Sequence, residues 1–145
     1  MHSHAPLEAF FAEIEAALGP DAVNRSAETL ARYGENTMAG GDREPAGVVY
    51  PASTAEVQAI VRAANTHAVP LYPISTGHNI GLGSRSASRP GQVVVDLGRK
   101  MNRILELDER LGFVVVEPGV TYQAMYDELV RRGNKFMLDV TSGPP

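Results

Sequence analysis

The stretch PISTGHNIGLGS, residues 73–84, concentrates the residue types that bind ligands and do chemistry. Glycines at 77, 81 and 83 let the backbone take positive φ and approach a ligand closely. Successive amides in such a loop converge on one concavity, which suits an anion. Ser75, Thr76 and Asn79 add side-chain donors, and His78 adds an imidazole. The loop follows the apolar run VPLYPI, a strand ending near Ile74, and α/β folds bind ligands just beyond strand ends. Two familiar phosphate motifs are excluded. A Walker A loop needs Gly-Lys-Ser/Thr, and no Lys lies here. The dinucleotide fingerprint needs Gly-x-Gly-x-x-Gly opening a helix, whereas here Gly-x-x-x-Gly-x-Gly runs into SRSASRPG and a strand. On the residues alone, the segment is either an anion cradle or a surface loop without a ligand.

The elements that must hold this loop are legible on either side of it. STAEVQAIVRAANTHA reads as a helix, with Ser53 and Glu56 as a capping box and Val57, Ile60, Val61 and Ala64 as its apolar stripe. With GVVYP before it and VPLYPI after it, residues 47–74 predict a β-α-β unit with parallel strands. GQVVVDL is a further strand, and NRILELDERLGFVVVEPG predicts two strands around a charged turn closed by Gly112. Thr121 caps a helix carrying Tyr122, Met125, Tyr126, Leu129 and Val130 on one face, Gly133 ends it, and KFMLDV predicts a last strand. Upstream, Leu7, Phe10, Phe11, Ile14 and Leu18 fall at helical spacing before Gly19 and Pro20. A short helix is expected over Ser26 to Tyr33, closed by Gly34, and GENTMAGGDREPAG reads as loop. The expected fold class is α+β, with residues 1–46 as a helical lead and residues 47–145 as the main unit.

Bulk properties narrow the function classes. At 145 residues the chain can bury a real core, and 43% apolar with 21% charged residues is the balance of an ordinary globular domain. A net charge of −4 argues against a nucleic-acid partner. The absence of Cys excludes disulfides, thiolate metal sites and cysteine nucleophiles. No apolar run reaches the roughly 18 residues that span a membrane, and the N-terminus lacks a basic signal-peptide region. The expectation is a cytoplasmic protein. The end, MLDVTSGPP, reads as the lead into a further element, so a truncated chain is expected.

Other candidate residues have structural explanations. His2, His4 and His67 show no metal-ligand spacing, so no metal site is expected, and His67 is placed to interact with a helix C-terminal dipole. Tyr122 and Tyr126 lie on a core stripe, Arg131 and Arg132 on a solvated last turn. Glu117 reads as a strand-end charge, with contact to a ligand as the alternative. No Ser-His-Asp arrangement can be built.

Four segments occur in a familiar order: VVYPASTAEVQAIVRAAN, VPLYPISTGHNIGLGS, GQVVVDLGRKMNRILELD and VVVEPGVTYQAMYDEL. Together they resemble the PCMH-type FAD-binding domain of the vanillyl-alcohol oxidase and 4-cresol dehydrogenase flavoprotein family, from about Gly47 onward. The resemblance implies two α+β subdomains holding FAD between them, with this chain as the first. It places Ile74, Ser75, Thr76, Gly77, His78 and Asn79 around the FAD pyrophosphate, with Gly81, Gly83 and Ser84 beyond them and Pro118 and Gly119 as secondary contacts. It implies hydride transfer from a small organic substrate, aromatic or phenolic in the family, to flavin. Electrons then pass to oxygen or another acceptor, a cytochrome subunit in the 4-cresol dehydrogenases. An oligomer is expected of the full-length form.

Three positions depart from the family pattern. Leu82 stands where members carry a Tyr that holds the substrate phenolate, and Leu cannot donate a hydrogen bond, so the substrate need not be a para-substituted phenol. Ser142 stands near the position of an Asp found in the oxidases, which resembles the dehydrogenase branch; Asp139 reads as an exposed strand-end carboxylate. His78 stands where close relatives carry Arg or Lys, while distant flavoproteins of this fold use a Gly-Gly-His loop to bond flavin covalently. His78 is thus either a covalent anchor or a polar neighbour of the cofactor. The family's substrate-gripping residues lie beyond these motifs, so the chain alone is not expected to turn over substrate. The competing function is a non-catalytic binding or assembly module without cofactor.

Overall fold

The structure is a computed structural model, and it describes residues 5–35, 41, 43–77 and 85–138. Four strands form a mixed sheet: β1 (Val23–Asn24), β2 (Gly47–Val49), β3 (Leu71–Ile74) and β4 (Val93–Asp96), in the order β1-β2-β4-β3. β1 runs antiparallel to β2, whereas β2 and β3 both run parallel to β4. Val48 faces Val94, and Tyr72 faces the same residue from the other side. The expected β-α-β unit therefore exists with parallel strands, but β4 is inserted between them. β4 is buried along its whole length, which is why VVVD is a continuous run rather than an alternating one.

Alternation reappears in how the strands face two cores. Val49, Val93 and Val95 pack under α1 (Ala5–Leu18) and α3 (Thr54–His67), with Phe10, Phe11, Ile14, Ile60, Ala63 and Ala64. Val48 and Val94 point the other way, to Tyr33, Tyr50, Ile74 and Ala87. α1 and β1, from the N-terminal lead, thus share core and sheet with the main unit. A Cβ at Gly47 would run into the Phe11 ring, so that strand must begin with glycine.

Local signals act largely as expected. Ser53 Oγ accepts from the Glu56 amide at 3.2 Å, but the Glu56 carboxylate reaches the Ala52 amide at 2.8 Å, one residue beyond the ordinary capping box. Ser26 caps α2 (Ala27–Gly34), and Thr121 caps α4 (Tyr122–Arg131). β5 (Ile104–Asp108) and β6 (Phe113–Val116) form the expected hairpin. His67 lies 2.8 Å from Glu13 of α1, a tertiary partner rather than only a dipole interaction.

Three expectations are corrected. Residues 134–138 form no strand; the rest of KFMLDV lies outside the described residues. Tyr122 and Tyr126 are 59% and 56% exposed, because only Leu129 of α4 is buried and no described element covers the tyrosine face. Val61, expected on the α3 stripe, is also exposed; Ala63 takes its place in the core.

Candidate functional site

The carboxyl ends of β3 and β4 lie side by side, and the chain leaves both in the same direction. From β3 come Ile74, Ser75, Thr76 and Gly77; from β4 come Asp96, Leu97 and Gly98. Beyond the last paired residues, the Leu97 amide donates to Ile74 O and the Gly98 amide to Ser75 O, both at 3.0 Å. The two exits therefore remain zipped past the sheet. Ile74 is buried, Ser75 exposed, and Thr76 and Gly77 half-buried.

A third segment layers onto these exits. The Gly119 amide donates to Met101 O at 2.7 Å, which brings Pro118 and Gly119 over Gly98. A Cβ on Gly119 would stand 2.5 Å from Gly98 O and 2.7 Å from Met101 O. A Cβ on Gly98 would meet Ser75 O at once, with Thr76 Cα 3.0 Å away. Backbone thus stacks on backbone with no room for a side chain. Gly98 thus stands between Gly119 and Ser75–Thr76, linking two segments of the sequence-predicted set. In DLGRK that glycine carries no local mark of its role, because its neighbour is distant in sequence.

Glu117 fixes the third segment. It is 6% exposed, and its Oε2 accepts from the Arg103 amide at 2.8 Å and from Arg103 Nε at 3.1 Å. Its Oε1 accepts from the Arg103 guanidinium at 2.7 Å. The Arg103 side chain and then its amide hold the Glu117 carboxyl below the usual range. Glu117 is therefore the strand-end charge expected from sequence, but a buried one, committed to Arg103.

On the second core face, the Tyr33 hydroxyl donates to Asp96 Oδ2 at 2.6 Å. Asp96 Oδ1 accepts from the Arg99 amide at 3.1 Å. Burial first, then the Asp96 carboxylate, pushes the Tyr33 phenol well above its ordinary range, so it is a neutral donor at all ordinary pH. The Tyr50 hydroxyl is buried with no hydrogen-bond partner among the described residues, and its ring lies 4.4 Å under the Arg99 guanidinium. These groups brace the strand ends from below.

Gly77 opens onto a hollow of about 220 Å³ lined also by Arg32, Glu35 and Arg85. Gly77 has φ +73°, so it makes the positive-φ turn expected of the loop's first glycine. Two arginines thus stand beside the positive-φ turn near the ends of two parallel strands, a lining suited to an anion. Neither arginine stands out in sequence, since each is isolated among loop or helix residues. His78, Asn79, Gly81, Leu82, Gly83, Ser84, Asp139 and Ser142 lie outside the described residues, as do His2 and His4. No group of metal-ligating side chains converges among the described residues.

Two other hollows, of about 320 and 420 Å³, lie beneath α4 and Phe136–Leu138. Among the described residues their only ionisable groups are Asp108, which receives the Arg110 and Leu111 amides of the hairpin turn, and the Tyr122 and Tyr126 phenols. They lack converging polar groups and belong to the exposed apolar side of the hairpin and α4.

The family model described as FAD binding domain matches residues 45–145. The 1'-carboxy-chondrochloren decarboxylase of Chondromyces crocatus is 44% identical over 140 residues, which is 97% of this chain and 26% of that protein. The 4-cresol dehydrogenase (hydroxylating) flavoprotein subunit of Pseudomonas putida is 34% identical over 132 residues, covering 90% of this chain and 25% of that one. Among solved structures, p-cresol methylhydroxylase with substrate bound is similar with a TM-score of 0.91 and 32% identity, over 96% of this chain and 27% of that chain. The chain spans about a quarter of the length of these relatives.

Proposed function

Since this chain belongs to the FAD-binding domain family, we propose that it supplies the pyrophosphate cradle of an FAD-dependent oxidoreductase acting on a small organic substrate. The observation that carries the reading is the backbone-on-backbone layering of Ser75–Thr76, Gly98 and Gly119 at the ends of β3 and β4. The chemistry FAD supplies when bound is acceptance of a hydride from a substrate carbon. The chain's own part is to bind and orient. Ile74, Ser75, Thr76, Gly77, His78, Asn79, Gly81, Gly83 and Ser84 form the proposed phosphate-contacting run, with Pro118 and Gly119 bordering it. Residues 47–145 act as the first subdomain, and residues 1–46 as the lead whose α1 closes its core. His78 is read as a polar neighbour of the cofactor, so acid precipitation of the loaded protein should release the flavin.

The substrate class is a small aromatic or phenolic compound, in keeping with relatives named for 4-cresol. Leu82 in place of a hydrogen-bonding Tyr favours one without a phenolate that must be held at that point. Oxygen or a cytochrome subunit is the proposed electron acceptor, the latter from the flavoprotein-subunit relative. Among the described residues no helix is long and apolar enough to cross a membrane.

The test is a titration of the 15N-labelled chain with FAD, with riboflavin as the phosphate-free control. FAD should shift the amides of Ser75, Thr76, Gly77, Gly98 and Gly119 more than riboflavin does. Unmoved amides at millimolar FAD, on the order of the affinity left to half a site, would refute the reading.

A further inference from the structure

Among the described residues, most arginines near a carboxylate are committed to one. Arg25 pairs with Glu8, Arg103 with Glu117, and Arg131 and Arg132 with Glu128. Arg85 joins no ion pair among the described residues. Its stem lies across Gly77 so closely that a Cβ there would collide with Arg85 Cγ and stand 3.0 Å from Nε. Its guanidinium carbon sits 6.0 Å from the Tyr33 ring centroid. That ring is itself held, because the Tyr33 hydroxyl donates to the buried Asp96 carboxylate at 2.6 Å. Arg32, one residue before Tyr33, lines the same hollow, and Glu35 is its one carboxylate among the described residues. Among the described residues the hollow's lining thus carries two positive side chains against one negative, in a chain whose net charge is −4.

We propose that Arg85, supported by Arg32, is a side-chain phosphate ligand that complements the Gly77 backbone turn and takes a phosphate of the dinucleotide cofactor. The inference rests on the flavin reading above. A guanidinium offers planar paired donors that match phosphate oxygens, and a cation–π contact with the Tyr33 ring, 6.0 Å away, helps orient that fork. Backbone amides fix where the phosphate sits; the arginines supply the charge that amides lack. Tyr33 and Asp96 are positioning residues in this scheme, acting on the phosphate only through Arg85.

The experiment measures ADP, FAD and riboflavin affinities of the chain by NMR titration, for the wild type and for Arg85→Gln, Arg85→Lys, Arg32→Gln and Glu35→Gln. Arg85→Gln should weaken ADP and FAD by about tenfold or more, as for loss of a charged hydrogen bond, and leave riboflavin unchanged. Arg85→Lys should recover part of the loss, and Glu35→Gln should tighten ADP about twofold or more by removing the opposing charge. A folded Arg85→Gln chain that binds ADP as the wild type does overturns the role of Arg85 while leaving the flavin reading intact. A wild type that binds neither ADP nor FAD overturns both. Should Arg85→Gln fail to fold, unchanged ADP affinity in both Arg32→Gln and Glu35→Gln overturns the proposal, and opposite changes in the two support it.

Discussion

Replacing Gly98 by alanine tests whether the cradle is built from backbone layering. Gly98 does not have a left-handed φ, so the substitution introduces no dihedral strain. The cost is contact. The new methyl would overlap Ser75 O, stand 2.8 Å from Ser75 C and 3.0 Å from Thr76 Cα. All three are backbone atoms, so no side chain can rotate away and the β3 exit itself must move. Overpacking of this kind costs about 1–3 kcal/mol. The Gly98 amide bond to Ser75 O, now 3.0 Å, would stretch and lose about 1 kcal/mol. Alanine returns about 0.4–1 kcal/mol by restricting the unfolded chain. The net expectation is a loss of about 1–3 kcal/mol in urea unfolding, with displaced amide resonances at Ser75, Thr76 and Gly77. Gly91→Ala is the control. That residue has φ +78° and nothing within 4 Å of its missing Cβ, so the change is paid in dihedral strain alone and leaves Ser75–Gly77 unmoved. A Gly98→Ala chain within about 0.5 kcal/mol of wild type, with unshifted Ser75–Gly77 amides, would refute the layering argument.

Tyr33→Phe strips the donor from buried Asp96 Oδ2 and should lower stability by about 1–3 kcal/mol; a urea midpoint equal to wild type would show the bond to be idle. Glu128 is held by Arg131 first and Arg132 second, which bring its carboxyl from the usual 4.5 down to about 2. Because the folded pKa is depressed, its stabilising contribution is present above pH 4.5 and is lost as pH falls toward about 2. The difference in urea midpoint between wild type and Glu128→Gln should therefore shrink across that interval, and a difference independent of pH would contradict the assignment.

Much of this architecture is legible in the sequence because its causes are local. Ser26, Ser53 and Thr121 announce helix starts through a hydroxyl and an amide a few residues on. Ser75, Thr76 and Gly77 stand out in the sequence as a polar glycine turn directly behind a strand, and Gly77 takes the positive φ that reading expects. What escapes is non-local. Nothing in the period of VVVD says that it enters between two strands already joined by a helix. β1 is two residues long, too short to show alternation. The stripe of α4 correctly marks an apolar face, but a stripe cannot say whether a partner covers it, and Tyr122 and Tyr126 stand exposed. Gly98 and Arg85 acquire meaning only from atoms of Ser75 and Gly77, which the fold brings alongside.

The glycines show why richness in one residue type is a weak signal until its causes are separated. Gly47 lacks a side chain to admit a core ring, and Gly98 and Gly119 lack one to admit backbone. Among the described residues, the left-handed glycines at 19, 41, 91, 112 and 133 have open space where a Cβ would be, so each serves only to turn the chain. Gly77 alone of the left-handed set meets both demands: its φ is left-handed just past β3, and the space of its missing Cβ is filled by Arg85. A connector needs only the first property. The second brings a cationic side chain across the start of the turn and sets its guanidinium beside the Tyr33 ring, at the point where two parallel strands end. Turn, charge and strand ends are then one construction, and the proposed phosphate would use all three.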